Sequence, residues 1–125
     1  RRVLVAEDNP VNQRVAVRML EKLDYAADVA VDRREAVQMA QAAPYAVILM
    51  DCHMPEVDGY EATRRIARAL PANRRPPIVA MTAAGNEGDR ERCLAAGMDD
   101  YLGKPVRMDT LRAMLDRWAA GAGVQ

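Results

Sequence analysis

The hydrophobic pattern contains one short apolar run that ends abruptly on a carboxylate. Val47–Met50 runs directly into Asp51, and Pro55 and Asp58-Gly59 follow soon afterwards as turn signals. A short apolar run bounded by turn residues is typical of a strand that is buried on both faces of a parallel sheet. Because ligands bind at the carboxyl ends of the strands in open α/β sheets, we expect Asp51 to lie at a functional site.

Four further runs of the same kind predict the rest of the sheet. These strands are expected at Val3–Ala6, Ala26–Val31, Ile78–Met81 and Asp99–Leu102. Two of them also end on polar residues, since Glu7 and Asp8 follow the first strand and Thr82 follows the strand that begins at Ile78.

Segments with helical periodicity alternate with the strands. The predicted helices run from about Pro10 to Leu23, from a cap at Asp32 towards Pro44, from about Tyr60 to Leu70, through Cys93 to a glycine cap at Gly97, and through Leu111, Leu115 and Trp118. The order βαβαβαβαβα, with short loops and right-handed crossovers, predicts a three-layer α/β sandwich around a parallel sheet.

The length and the charge balance limit the alternatives. We expect one domain at residues 1–120 and a small-residue tail or linker at residues 121–125, because 125 residues leave no room for a second domain. Eighteen basic residues balance 18 acidic ones, so the charge favours neither a nucleic acid nor a membrane surface as partner. No apolar run approaches the roughly 20 residues of a membrane span, and we expect a cytoplasmic location.

The two cysteines, Cys52 and Cys93, lack the spacing of metal ligands and are too few for a disulfide scaffold. We expect both to be unbridged thiols. Cys52 should point away from Asp51, into core or neutral packing.

Five polar residues should meet at one edge of the sheet if the first, third, fourth and fifth strands are neighbours. They are Glu7, Asp8, Asp51, Thr82 and Lys104. Three carboxylates crowd together only when a cation lies between them, and oxygen ligands without His or Cys favour Mg²⁺. A lysine and a hydroxyl suit phosphoryl oxygens. Together these groups are the parts of an aspartyl-phosphate site with Asp51 as nucleophile.

The chain resembles, along nearly its whole length, the receiver domains of two-component response regulators. Four stretches carry the resemblance: Val3–Gln13, Met50–Gly59, Met81–Ala83 and Gly97–Pro105. Glu7–Gln13 and Glu61–Arg64 are most similar to the receivers of hybrid sensor histidine kinases. The resemblance implies a flavodoxin-like fold with a five-stranded parallel sheet in the order 2-1-3-4-5 and five helices.

The resemblance also implies the roles of the acidic residues. Asp51 would be the phosphoacceptor and a Mg²⁺ ligand. Asp8 would bind Mg²⁺ directly, Glu7 through water, and His53 through its backbone carbonyl.

Further roles follow from the same resemblance. Thr82 and Lys104 would each bind a phosphoryl oxygen and complete the catalytic set with Asp51. Tyr101 would be the aromatic residue whose rotamer follows Thr82, carrying the signal to the face of helix four, strand five and helix five, where a downstream protein or domain binds. The Lys104-Pro105 bond would be cis.

The implied function is transfer of a phosphoryl group to Asp51 from a histidine kinase or a histidine phosphotransfer domain. Such a domain promotes its own phosphorylation and dephosphorylation, and the parent chain would be a hybrid histidine kinase or a separate regulator. A pseudo-receiver that binds partners without phosphorylation is one alternative. A Mg²⁺-dependent phosphatase is another, but such enzymes carry a second carboxylate two residues after the nucleophile, where this chain has His53. Flavin binding would require a phosphate-binding loop rich in Ser, Thr and Gly after the first strand, which is absent.

Asp24 and Arg33 stand where many relatives carry glycine. Asp24 directly follows the first predicted helix, where a residue in the left-handed conformation is common. Because that conformation suits glycine better than aspartate, we expect Asp24→Gly to stabilise the fold without changing the chemistry.

Overall fold

A computed structural model of the chain describes residues 2–54, 57–71, 73–82 and 87–123. The strands of its main sheet are β1 (Arg2–Ala6), β2 (Ala26–Ala30), β3 (Val47–Asp51), β4 (Ile78–Thr82) and β5 (Asp100–Gly103). The helices are α1 (Pro10–Lys22), α2 (Arg33–Ala42), α3 (Gly59–Ala69), α4 (Glu87–Ala95) and α5 (Met108–Gly123). The predicted alternation is confirmed, and each strand begins and ends within one residue of its predicted bounds.

The sheet is parallel throughout and has the order β2-β1-β3-β4-β5. The predicted order 2-1-3-4-5 is therefore confirmed. A separate antiparallel pair, formed by His53–Met54 and Val57–Asp58, lies between β3 and α3 in the chain.

Side chains alternate across the strands, so each face of the sheet carries its own core. The core that includes residues of α2, α3 and α4 contains Leu4, Ile48, Met50, Ala36, Ile66 and Cys93. The core that includes residues of α1 and α5 contains Val5, Leu49, Leu20, Leu111 and Leu115. These two cores make the domain a three-layer sandwich, as predicted.

β3 lies in the middle of the sheet, and all five of its residues are buried. Ile48 is paired with Leu4 on one side and with Ile78 on the other. Asp51 is thus a carboxylate at the end of a strand that is shielded from water. Because a buried charge is costly without a partner, the chemical behaviour of the Asp51 carboxylate depends on the groups around it.

Asn9 caps α1, and Pro10 is the first residue of the helix. The Asn9 Oδ1 accepts hydrogen bonds from the backbone amides of Val11 at 2.8 Å and Asn12 at 3.2 Å. This arrangement satisfies amides that have no partner within the helix, and it fixes the exit from the β1 loop.

The apolar residues of α1 are only partly used in the core. Leu20 is fully buried, whereas Val11 and Val15 are 63% and 49% exposed. The helical spacing of these residues correctly predicted the helix. It did not show that Val11 and Val15, in the first two turns, would face outward.

Both predicted helix ends with left-handed residues are present. Asp24, after α1, has a φ of 67°, and Gly97, after α4, has a φ of 103°. The sequence also offers Asn86 or a nearby polar residue as a cap for α4, and Asn86 lies outside the described residues. The last helix continues to Gly123, so three residues of the segment expected to be a tail are helical.

None of the described helices combines the length and the apolar character that crossing a membrane requires.

Candidate functional site

Three carboxylates meet at the carboxyl edge of the sheet. Glu7 and Asp8 follow β1, and Asp51 ends the neighbouring strand β3. One oxygen of each carboxylate lies within 4.8 Å of an oxygen of the other two. Glu7 and Asp51 are 1% and 2% exposed, and Asp8 is half-buried. The structure therefore brings together the three acidic residues that the strand ends predicted.

Lys104 places its ammonium between two of these carboxylates. Its Nζ lies 3.1 Å from the Asp51 Oδ2 and 3.2 Å from the Glu7 Oε1. Burial lowers the pKa of Lys104, but the hydrogen bond to Asp51 and the negative charges of Asp51 and Glu7 outweigh this effect and raise it. Lys104 is therefore a cation at neutral pH.

The positive charge of Lys104 does not fully offset the negative charge of the three carboxylates, and the pKa of Glu7 is raised. Burial, followed by the interactions with Asp51, raises the pKa of Glu7 to about 7. The Asn9 amide, which donates to the Glu7 Oε2 at 3.2 Å, and the charge of Lys104 only partly oppose this rise. An additional cation among the carboxylates would relieve the same repulsion.

Thr82 is a fully buried residue at the end of β4. Its Oγ1 has no hydrogen-bond partner within the part of the chain that the structure describes. Leaving a buried hydroxyl unpaired costs about 1–3 kcal/mol. The Thr82 carbonyl accepts a hydrogen bond from the Lys104 amide at 2.7 Å, which ties the backbones of these two residues together.

Tyr101 lies on β5 next to the strand that carries Thr82. Tyr101 is paired with Ala80 and Thr82 with Gly103. Because alternate residues of a strand share a face, the Tyr101 and Thr82 side chains lie on the same face of the sheet. Tyr101 is half-buried against the core that contains residues of α4.

Two further predicted features can be placed. The Lys104-Pro105 bond is cis. His53 lies two residues after Asp51 and pairs with Asp58 in the short antiparallel ladder. A metal-binding role for the His53 carbonyl stays a prediction.

Gln13 contributes to the site but was not predicted to do so. Its side-chain Nε2 donates a hydrogen bond to the Glu7 carbonyl at 2.7 Å. Its own amide donates to the Asn9 carbonyl at 2.9 Å, in the first turn of α1. The sequence feature that could have predicted this contact is the position of Gln13 one turn after the capping residue Asn9. From there a long side chain can reach back to the loop before the helix.

The donor set fits a hard cation beside an anion. The metal-ligating groups offered by Glu7, Asp8 and Asp51 are carboxylate oxygens, which suit Mg²⁺ rather than softer metals. The unpaired Thr82 hydroxyl and the Lys104 ammonium suit anionic oxygen atoms.

An apolar groove of about 440 Å³ opens beside the site. Its apolar walls come from Val15, Ala16, Met19, Met81, Pro105 and Val106. Glu7 and Lys104 also line it, so the groove is continuous with the charged cluster.

Comparison with known proteins identifies the family. The model of the response regulator receiver domain matches residues 3–116. The chain is 44% identical over 116 residues to the hybrid signal transduction protein dokA of Dictyostelium discoideum. That alignment covers 93% of this chain but 7% of dokA, so the chain spans a small part of that relative.

Two solved structures are also similar. The receiver domain of the sensor histidine kinase PA1611 from Pseudomonas aeruginosa PAO1 is 49% identical with a TM-score of 0.85, covering 95% of this chain and 97% of that one. That domain holds a magnesium ion coordinated in its active site cleft. A co-crystal structure from Saccharomyces cerevisiae contains the histidine phosphotransfer protein Ypd1 and the receiver domain of its downstream response regulator Ssk1. It matches with 29% identity and a TM-score of 0.85, covering 95% of this chain and 88% of that one.

The family match covers most of the chain, and the sheet order agrees with it. The chain belongs to the family of response regulator receiver domains.

Proposed function

We propose that Asp51 accepts a phosphoryl group from a phosphohistidine donor with the help of Mg²⁺, and that phosphorylation switches a partner-binding face of the domain. Membership of the receiver family places the domain in phosphorelay signalling. The observation that carries the more specific proposal is the Lys104 ammonium, 3.1 Å from the Asp51 Oδ2 and beside the acidic cluster. This arrangement supports phosphorylation of Asp51, and the experiment below distinguishes it from a pseudo-receiver that only binds partners.

Asp8 and Asp51 would hold Mg²⁺ directly, Glu7 through water, and His53 through its backbone carbonyl. When bound, the ion would neutralise negative charge on the phosphoryl oxygens. The oxygen-only donor set supports this assignment, as does the magnesium ion in the similar receiver of PA1611.

The residues of the chain position and stabilise the transferred group. The Asp51 carboxylate forms a bond to phosphorus while the bond from phosphorus to the donor imidazole nitrogen breaks in line with it. Lys104 binds one phosphoryl oxygen, and the Thr82 hydroxyl donates to another, which gives this buried hydroxyl a partner. Because Asp51 and Thr82 are buried, these preorganised donors stabilise charge strongly. Attack of water on the acyl phosphate later returns Asp51 to its starting state.

We assign donor docking to the outward face of α1 and the adjoining groove. Val11 and Val15 are exposed there, and the groove leads to Glu7 and Lys104. An apolar surface that is continuous with the reacting group suits the helical face of a histidine phosphotransfer domain. The co-crystal structure of Ypd1 with the receiver of Ssk1 supports a partner of this class.

The output face in this proposal consists of α4, β5 and α5. Thr82 moves towards the phosphoryl group, and Tyr101 follows on the same face of the sheet. Moving an equilibrium from about 1% to about 99% active requires roughly 5.5 kcal/mol. Hydrogen bonds to a charged group contribute about 1.5–3 kcal/mol each, so Thr82 and Lys104 together approach this requirement.

A cytoplasmic location is part of the same proposal.

The test is intact-mass spectrometry of the chain after incubation with acetyl phosphate, with and without Mg²⁺. We expect one phosphoryl adduct that requires Mg²⁺ and is absent from Asp51→Asn. If the folded chain binds Mg²⁺ but gains no adduct, the domain is a pseudo-receiver and the proposal is wrong.

A second experiment tests the docking face. Val15→Asp should slow transfer from a phosphorylated histidine phosphotransfer domain at least tenfold, while uptake from acetyl phosphate stays unchanged. The exposed Leu94 on α4 gives the matched control, because Leu94→Asp should change neither rate. Equal transfer rates for the Val15 and Leu94 variants would place the donor elsewhere.

A further inference from the structure

Two thiols are in contact directly behind the phosphoacceptor. Cys52 follows Asp51 in the chain, and Cys93 lies on α4. Their sulfur atoms are 4.0 Å apart, although 41 positions separate the residues in sequence. The side chains are 5% and 1% exposed, and both belong to the same buried core.

We propose that Cys52 and Cys93 form an oxidative modification site, at which a small two-electron oxidant of the peroxide class closes a disulfide that slows phosphorylation of Asp51. The disulfide itself is independent of the proposed function, whereas its effect on Asp51 rests on that function.

The chemistry needs one equivalent of peroxide. One thiol attacks a peroxide oxygen, the O–O bond breaks, and a sulfenic acid and one water are formed. The second thiol then attacks the sulfenic sulfur, the S–S bond forms, and the hydroxyl leaves as a second water with the remaining thiol proton. Two thiols are oxidised, and one peroxide is reduced to two waters.

The burial of both sulfurs determines the kind of oxidant. Hydrogen peroxide is small and uncharged, so it reaches a buried sulfur more readily than bulky or charged thiol reagents do. Once the first sulfur is oxidised, the second lies in contact with it, which favours disulfide formation over further oxidation.

Closing the disulfide should disturb the position of Asp51. An S–S bond is about 2.05 Å long, so the two sulfurs must approach by about 2 Å from their present separation. Cys52 has little freedom to move alone, because its amide donates to the Met81 carbonyl at 3.1 Å. Met81 is paired with Asp51 and precedes Thr82, so a shift at Cys52 is transmitted to groups that bind the phosphoryl oxygens. A misplacement of about 1 Å can slow a reaction up to about 100-fold.

The first measurement is the mass of the folded full chain after treatment with hydrogen peroxide, followed by peptide mapping without reductant. We expect a loss of two hydrogen atoms and one peptide pair that joins Cys52 to Cys93. Cys93→Ala should show neither. If the folded chain forms no such link under conditions in which the urea-unfolded chain does, the pair only fills the core and the proposal is wrong.

The second measurement is phosphoryl uptake from acetyl phosphate with Mg²⁺. The oxidised chain should react at least fivefold more slowly than the reduced chain, and dithiothreitol should restore the rate. The double variant Cys52→Ala/Cys93→Ala, treated with the same peroxide, controls for oxidation of methionines and should keep its rate, because it has no thiol beside Asp51 that could be oxidised. If the disulfide forms but phosphoryl uptake is unchanged, the proposal that the disulfide slows phosphorylation of Asp51 is wrong. A reduced chain without any uptake overturns the proposed function instead, and the mass measurement still tests the disulfide.

Discussion

The Lys104 Nζ lies 3.1 Å from the Asp51 Oδ2, although β4 lies between β3, which ends at Asp51, and β5, which Lys104 directly follows. The same ammonium contacts Glu7 at 3.2 Å. Lys104 thus partly compensates the charge of two buried carboxylates before any phosphoryl group arrives. In the proposed reaction it would keep this role by passing from the Asp51 carboxylate to a phosphoryl oxygen.

Lys104→Met should reduce phosphoryl uptake from acetyl phosphate by about 100-fold, because removal of one preorganised donor typically costs that much or more. Methionine keeps the length of the side chain and removes its charge. Uptake is measured by intact mass against time at saturating Mg²⁺. The matched control is Lys22→Met at an exposed position of α1, which should keep the wild-type rate. A Lys104 variant that folds and reacts normally would contradict this assignment.

Glu7 should make the stability of the metal-free protein depend on pH. The pKa of Glu7 is about 7 in the folded chain and near its ordinary value of 4.5 in the unfolded chain. Between these values the folded state holds a proton that unfolding releases, so the free energy of unfolding falls as the pH rises. The contribution is complete below pH 4.5 and is lost by about pH 7.

Urea unfolding in the presence of a chelator measures this effect, with Glu7→Gln as the comparison. The variant cannot ionise at this position, so the stability of the wild type relative to it should fall between about pH 4.5 and 7. Saturating Mg²⁺ should remove most of this pH dependence, because the bound metal then takes the place of the proton on Glu7. A difference that stays constant across this range would show that the pKa of Glu7 is not raised.

Most of the candidate site could be predicted from the ends of the strands. Asp51 and Thr82 each end a run of apolar residues, and parallel strands bring such ends to one edge of the sheet. The direct contact between Lys104 and Glu7 could not be predicted, because it depends on how far one side chain reaches across β4. The exposure of Val15 was also unpredictable from its spacing, which indicates a shared helix face but not whether the sheet lies beneath it.

Side-chain contacts between segments that are distant in sequence could not be predicted either. The spacing of Cys52 and Cys93 excludes a metal motif but does not reveal that α4 packs against the residue after Asp51. Their predicted state as thiols agrees with the structure, and their contact is a result of tertiary packing alone.

Gln13→Ala should weaken Mg²⁺ binding about threefold to tenfold. The Gln13 side chain holds the Glu7 carbonyl at 2.7 Å, and groups that orient metal ligands typically contribute about 10–100-fold to affinity when they touch a ligand side chain. We expect less here because the contact is to the backbone. Titration calorimetry with Mg²⁺ measures the change. Gln38→Ala, at an exposed position of α2, is the control and should bind Mg²⁺ as the wild type does.

Asp24→Gly should raise the free energy of unfolding by about 0.5 kcal/mol. Asp24 has a φ of 67°, its amide donates to the Glu21 carbonyl at 3.0 Å, and the next amide, of Tyr25, donates to Leu20 at 2.9 Å. These two bonds form a Schellman motif, which holds residue 24 in the left-handed conformation. For L-residues this conformation costs about 1–2 kcal/mol, and the greater freedom of glycine in the unfolded chain cancels about 0.4–1 kcal/mol of the gain.

Urea unfolding at fixed pH measures this change, and phosphoryl uptake should stay at the wild-type rate because position 24 lies at the end of α1 away from the carboxylates. Asp24→Ala separates backbone strain from loss of the carboxylate, since alanine removes the charge but tolerates the left-handed conformation poorly. We therefore expect alanine to lower the unfolding midpoint and glycine to raise it. If both substitutions shift the midpoint in the same direction, the aspartate side chain rather than the backbone determines the stability of this turn.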